Sequence, residues 1–130
     1  MIGLIGKKIG MTQVFDSDGK VIPVTVIKAG PCKVICKRTE AENGYEAIQV
    51  GYEEIPARKV SKPLQGHFKK YNSPFYRYVR EFRPSYGQHI ESVQIGDELK
   101  ADIFGENETV SVSANSKGRG FTGVMKRHNF

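Results

Sequence analysis

No stretch of this sequence approaches the roughly 18 apolar residues that a membrane-crossing helix needs. The opening Met1-Ile2-Gly3-Leu4-Ile5-Gly6-Lys7-Lys8 puts its charges after a very short apolar run, the reverse of a signal peptide. There are only two cysteines, Cys32 and Cys36. Too few for a disulfide framework, they share the run Pro31-Cys-Lys-Val-Ile-Cys-Lys, where strand alternation puts Cys32, Val34 and Cys36 on one face as reduced core thiols. The three histidines His67, His89 and His128 are scattered without metal-ligand spacing, and none stands in a recognisable nucleophile and carboxylate arrangement. Repeats and low-complexity tracts are missing too. These absences predict a reducing, cytosolic setting, no metal, no cofactor, no membrane, no small-molecule substrate and no catalysis.

What is present is enough chain for one ordinary domain. At 130 residues, a domain buries about two-thirds of the surface its unfolded chain would expose. Hydrophobic residues make up 38% and charged residues 26%, close enough to globular averages to predict a folded core. The 20 Lys and Arg exceed the 14 Asp and Glu, for a net charge of +6. Net charge alone does not separate a nucleic-acid binder from a mildly basic protein, so distribution has to decide.

The charge is segregated. Residues 1–55 hold seven bases and seven acids. From Pro56 to Arg83 eight bases (Arg58, Lys59, Lys62, Lys69, Lys70, Arg77, Arg80 and Arg83) face the single acid Glu81. From Pro84 to Val110 only Lys100 opposes six acids, and Ser111 to Phe130 holds four bases and no acid. A protein held on a phosphate backbone needs its cations concentrated in this way, because each neutralised phosphate releases counterions.

Short β-rich runs separated by turn signals fill the first half: Ile2–Ile5, Ile9–Phe15, Val21–Lys28, Cys32–Arg38 and Glu46–Tyr52. Between them, Asp16-Ser17-Asp18-Gly19, Ala29-Gly30-Pro31 and Glu42-Asn43-Gly44 predict hairpin turns. Pro56–Tyr86, with four prolines and dense aromatics, reads as an irregular insertion with one short helix near Pro74–Arg80. Alternation returns over Gly96–Phe104 and Thr109–Ser113, predicting a further hairpin. Many short strands with almost no amphipathic helix predict a mainly β fold, a closed or nearly closed barrel. The expected organisation is barrel over 1–55 and 87–115, basic insertion over 56–86, and the start of a glycine-rich basic extension over 116–130.

The last fifteen residues are the most informative. Gly118-Arg119-Gly120-Phe121-Thr122-Gly123 matches G-x-G-x-x-G, which cradles a pyrophosphate when it follows a strand and opens a helix. A lone match is weak, and the chain given has no room after it for a crossover helix and an acidic ribose partner. The same residues suit RNA: glycines admit close main-chain approach, Lys117, Arg119, Lys126 and Arg127 neutralise phosphates, and Phe121 and His128 offer rings to unpaired bases. A flexible basic terminus without a partner is the bland alternative. Lys62-Pro63-Leu64-Gln65-Gly66-His67-Phe68-Lys69-Lys70-Tyr71 also mixes cations with aromatics, as an RNA surface or as a solvated segment. Lys7 and Lys8, between glycines, are expected at the turn joining the first two strands.

These residues resemble the bacterial-type large-subunit ribosomal protein L3 (uL3) family. The resemblance is carried by Met1-Ile-Gly-Leu-Ile-Gly-Lys-Lys-Ile-Gly-Met-Thr-Gln-Val-Phe15, by Ile22-Pro-Val-Thr-Val26, by Gly44-Tyr-Glu-Ala-Ile-Gln-Val50 and by Lys62-Pro63-x-x-Gly66-His67-Phe68. The strongest part is Ser116-x-Gly118-Arg119-Gly120-x-x-Gly123-x-x-x-Arg127. Ser111 departs from the family pattern, which usually has Asp or Asn there. The resemblance runs from Met1 to Phe130 and implies the N-terminal portion of such a protein.

It further implies a β-barrel of the translation-protein type, binding to large-subunit (23S-type) rRNA near its 3′ region, and a role in early subunit assembly. Family members continue into a long basic extension reaching toward the peptidyl transferase centre. Neighbours of the L14 and L19 families and a place in the large ribosomal subunit, cytoplasmic or organellar, are also implied. The residues expected at the rRNA are Lys7, Lys8, Arg58, Lys59, Lys62, His67, Lys69, Lys70, Ser116, Lys117, Gly118, Arg119, Gly120, Phe121, Gly123, Lys126, Arg127 and His128. Two other classes remain open: a nucleotide-binding barrel enzyme using Gly118–Gly123, and an adaptor binding acidic proteins through Pro56–Arg83.

Overall fold

The computed structural model describes residues 3–84 and 93–130. Strand predominates over helix, 36% against 20%, so the fold is mainly β. The first pair is a long antiparallel hairpin, β1 (Gly6–Phe15) and β2 (Val21–Ala29). It turns at Asp16–Gly19, where Gly19 has φ 75° and its N–H donates to the Asp16 carbonyl at 2.9 Å. The main sheet contains β3 (Cys32–Arg38), β4 (Ala47–Glu54), β5 (Tyr76–Phe82) and β6 (Glu98–Leu99) in the order β5-β4-β3-β6, every pair antiparallel. Gly30 links hairpin to sheet. Its φ of 68° suits glycine, and any Cβ there would stand 2.8 Å from the Leu99 carbonyl.

The hydrophobic core lies on both faces of this sheet. One face gathers Cys32, Val34, Ile48, Val50, Tyr52, Val93 and Leu99, with Leu4, Ile5 and Phe82 against them. The other gathers Ile35, Val60, Phe68 and Tyr76. A bulge at Ile35, between the pairs Val34–Val50 and Cys36–Gln49, divides them. It breaks the strict alternation that placed both thiols on one face: Cys36 contacts the Gln49 side chain on the side opposite Cys32 and Val34. Both cysteines are free and buried, as expected of core thiols, and burial pushes both thiol pKa values up.

Several elements differ from the sequence expectation. Residues 3–5 form no strand, and β1 runs continuously from Gly6, so Lys7 and Lys8 lie within a strand and not at a turn. Glu40–Asn43 forms a one-turn helix, α1, closed by Gly44 at φ 76°. The helix of the basic segment is α2, Lys62–Lys70, and not Pro74–Arg80: Pro63 is tolerated in a first helical turn, and Phe68 anchors the helix by complete burial. Tyr76–Phe82 instead pairs with β4: it is rich in strand-favouring aromatic and β-branched residues, and Tyr76 is buried and Val79 and Phe82 partly covered in the sheet.

The second expected hairpin is not formed. Only Glu98–Leu99 pairs, Ala101–Ile103 is a 3-10 turn, and residues 109–113 run without a ladder partner among the described residues, leaving Val110 and Val112 exposed. The described strands therefore make two separate sheets, not the closed barrel expected. Residues 85–92, where the insertion was expected to give way to the barrel and which include His89, lie outside the described residues.

Candidate nucleic-acid interface

The expected site residues fall in three places. The first is the basic segment. Arg58 and Lys59 stand on a 3-10 turn, Ala57–Lys59, and Lys62, Lys69 and Lys70 on α2. Gln65 fastens turn to helix by donating to the carbonyls of Ala57 and Val60, both at 2.8 Å. Lys62 and Lys69, seven residues apart, share one face of α2, while Phe68 points into the core. All five cations are exposed.

His67 behaves differently from these cations. Its Nε2 lies 2.6 Å from Gln49 Oε1, and an amide oxygen only accepts, so His67 donates from Nε2. Gln49 is held in that orientation because its own Nε2 donates to Glu81 Oε1 at 3.1 Å. Glu81 also accepts from Arg38 Nε at 3.2 Å and from Tyr45 Oη at 2.8 Å. Desolvation alone would raise the Glu81 pKa, but the hydrogen bonds from Tyr45, Arg38 and Gln49 and the Arg38 charge outweigh it and hold the carboxyl below its usual range. Thus His67 ties α2 to the sheet, leaving Nδ1 and the ring for other contacts.

The second place is the hairpin. Lys7 stands directly opposite Lys28 and Lys8 opposite Ile27, and both expected lysines are exposed. The third is the terminal run Ser116–Phe130. Ser116, Lys117, Gly118, Arg119, Gly120 and Gly123 lie along an exposed, ladder-free chain with Phe121 at 100% exposure. Lys126, Arg127 and His128 form the last turn of α3, Val124–His128, whose first turn closes through Arg127 N–H to the Gly123 carbonyl at 3.0 Å. The G-x-G-x-x-G run thus follows no strand and opens only a five-residue helix, so the strand-turn-helix frame of a dinucleotide cradle is not built.

Electrostatics separates these cations from the rest. The ion pairs within the described residues use Arg38, Arg77 and Lys100. None of the expected contact lysines or arginines pairs with a described acid. Among the described residues there is also no group of three or more potential metal ligands, and no helix long and apolar enough to cross a membrane.

Residues that sequence reasoning did not select include Lys28, Arg77 and Tyr78. Tyr78 is 42% exposed, with the Arg77 guanidinium 5.7 Å from its ring centroid. The outward Arg and Tyr of β5 were legible as a basic aromatic mix, but the meeting of Lys28 with Lys7 depends on strand register.

No family model matches the chain. Curated relatives do. Over 130 residues it is 55% identical to the large ribosomal subunit protein uL3 of Petrotoga mobilis, covering 100% of this chain and 59% of that protein. Over 128 residues it is 52% identical to the large ribosomal subunit protein uL3 of Carboxydothermus hydrogenoformans, covering 98% of this chain and 60% of that protein. The chain belongs to the uL3 family. It corresponds to a bacterial-type uL3 N-terminal portion and spans about three-fifths of the length of the curated relatives it matches. The uL3 likeness reaches both the basic segment and the glycine-rich terminus, since it runs through the whole chain.

Proposed function

We propose that the chain is a structural constituent of the large ribosomal subunit, binding 23S-type rRNA and catalysing nothing itself. The carrying observation is the set of exposed cations on the basic segment, β1 and the terminus that pair with no acid among the described residues, in a chain whose uL3 relatives are named as large-subunit proteins. Such cations neutralise phosphates, and the unpacked glycines 118, 120 and 123, around which an added Cβ would meet nothing, suit a main chain lying close to RNA. Contact near the rRNA 3′ region, a part in early subunit assembly, support of the peptidyl transferase region and neighbours of the L14 and L19 families belong to the same proposal, as does a cytoplasmic ribosome.

The barrel belongs here as well. Along β1 and β2, Ile9, Met11, Val14, Phe15, Val21, Ile22, Val26 and Ile27 are all at least 42% exposed. An apolar surface of that extent favours covering by further protein, and we place there the parts of a full-length uL3-family protein that this chain does not include.

The test is the salt dependence of binding to a 23S rRNA fragment. If about six cations meet phosphates, log K falls against log salt with a slope near −5, at about 0.9 per contact. A salt-independent affinity overturns the electrostatic mechanism.

A further inference from the structure

We propose that the junction of the first hairpin with the main sheet is a site for one unpaired nucleotide, its base on Tyr78 and its phosphate between Lys7 and Lys28. This rests on the RNA-binding reading above and names the RNA feature recognised at one place.

Lys7 and Lys28 are register partners, so their side chains leave the same face of the hairpin. Like charges directly opposite are destabilising, and neither lysine pairs with a described acid. An anion between them reverses the sign of that interaction. Beside them, Lys7 lines a cleft of about 120 Å³ with Ile5, Gly6, Tyr52 and Tyr78. Tyr52 and Tyr78 are themselves register partners on β4 and β5, with ring centroids 6.3 Å apart and planes at 30°. Tyr52 is 7% exposed, and its hydroxyl reaches the Lys28 carbonyl at 3.5 Å, which brings the tyrosine pair against the lysine pair. Tyr52 is the buried support and Tyr78 the exposed ring. Arg77 stands by that ring while engaged with Glu53 at 3.5 Å, so it braces the site and leaves the phosphate to the lysines.

Paired lysines alone would serve an acidic peptide equally well. The exposed ring favours RNA, because a base has a π-face to stack and a carboxylate has none. It also favours an unpaired nucleotide, because a base inside a duplex is already stacked on its neighbours.

The experiment uses the full-length protein containing this chain and two RNA hairpins, one with a single bulged 2-aminopurine and one with that base paired in the stem. Binding is expected to quench the bulged probe. Tyr78→Leu should abolish the quench and weaken binding of the bulged hairpin roughly tenfold, the size of one stacked base. It should leave the paired hairpin unaffected. Tyr78→Phe, which keeps the ring, should retain the quench, and matching circular dichroism of the variants excludes misfolding as the cause. Lys7→Gln combined with Lys28→Gln should reduce the salt slope by about 0.9, the contribution of the one phosphate they hold.

A quench that survives Tyr78→Leu, or a salt slope unmoved by the double lysine change, overturns this site while RNA binding by the parent protein stands. Loss of glutamate-rich peptide binding in the lysine variant, with RNA binding intact, overturns it in favour of an acidic protein partner. A parent protein that binds neither hairpin overturns the RNA reading itself.

Discussion

Glu81 is the residue on which the polar side of the fold converges. Arg38, Tyr45 and Gln49 come to it from β3, the segment before β4 and β4 itself, and through Gln49 it fixes the proton of His67 on Nε2. Because its folded pKa lies below its unfolded one, the stability it contributes is complete above about pH 4.5 and is lost as pH falls through the folded value. Thermal melts should therefore show declining stability on acidification below about pH 4.5. Glu81→Gln should flatten that decline and lower the melting temperature at neutral pH. An unchanged acid limb in the variant would assign the pH dependence to other carboxylates. Each of these residues is unremarkable in the sequence, and only the pairing of β4 with β5, which sets Gln49 against Glu81, brings them together.

Among the elements, β4 and β5 carry most of the packing that positions the basic segment. Gly51 of β4 lies under the Tyr76 ring, and a Cβ added there would stand 2.3 Å from a ring carbon. Tyr76 is itself buried against Phe68, the anchor of α2, so the ring has little room to give. Gly51→Ala is expected to destabilise the protein by about 1–3 kcal/mol, the usual cost of overpacking a core, as measured by urea denaturation. A neutral result would mean that β5 shifts freely on β4. The period-2 pattern made β2, β3 and β4 legible almost to their ends. It misled at Tyr76–Phe82, where proline on either side suggested an irregular segment, and at Thr109–Ser113, where alternation was present but no ladder partner is found among the described residues. Alternation reports that a run suits a strand; pairing depends on a second run in reach.

For the whole molecule, the feature with the widest consequence is the contrast between a packed sheet and an exposed terminus. Among residues 109–130 only Thr122 is partly covered, so that run has few contacts to protect it from proteolysis. Trypsin should cleave first after Lys117, Arg119, Lys126 and Arg127, leaving the sheet intact, and bound rRNA should suppress these cuts. Mass spectrometry of the early fragments checks both, and equal cleavage with and without RNA would remove the terminus from the interface.

The sequence by itself determined the mainly β class, the segregation of cations into a central block and a terminus, the core cysteines and the likeness to the uL3 family, because composition, charge order and period are properties of neighbours along the chain. Tertiary structure alone decided the bulge that parts Cys36 from Cys32, the tie of His67 to Gln49, and the placing of Lys7 opposite Lys28 beside Tyr78. Each depends on which strand lies against which and in what register, and register is set by packing between residues far apart in the chain.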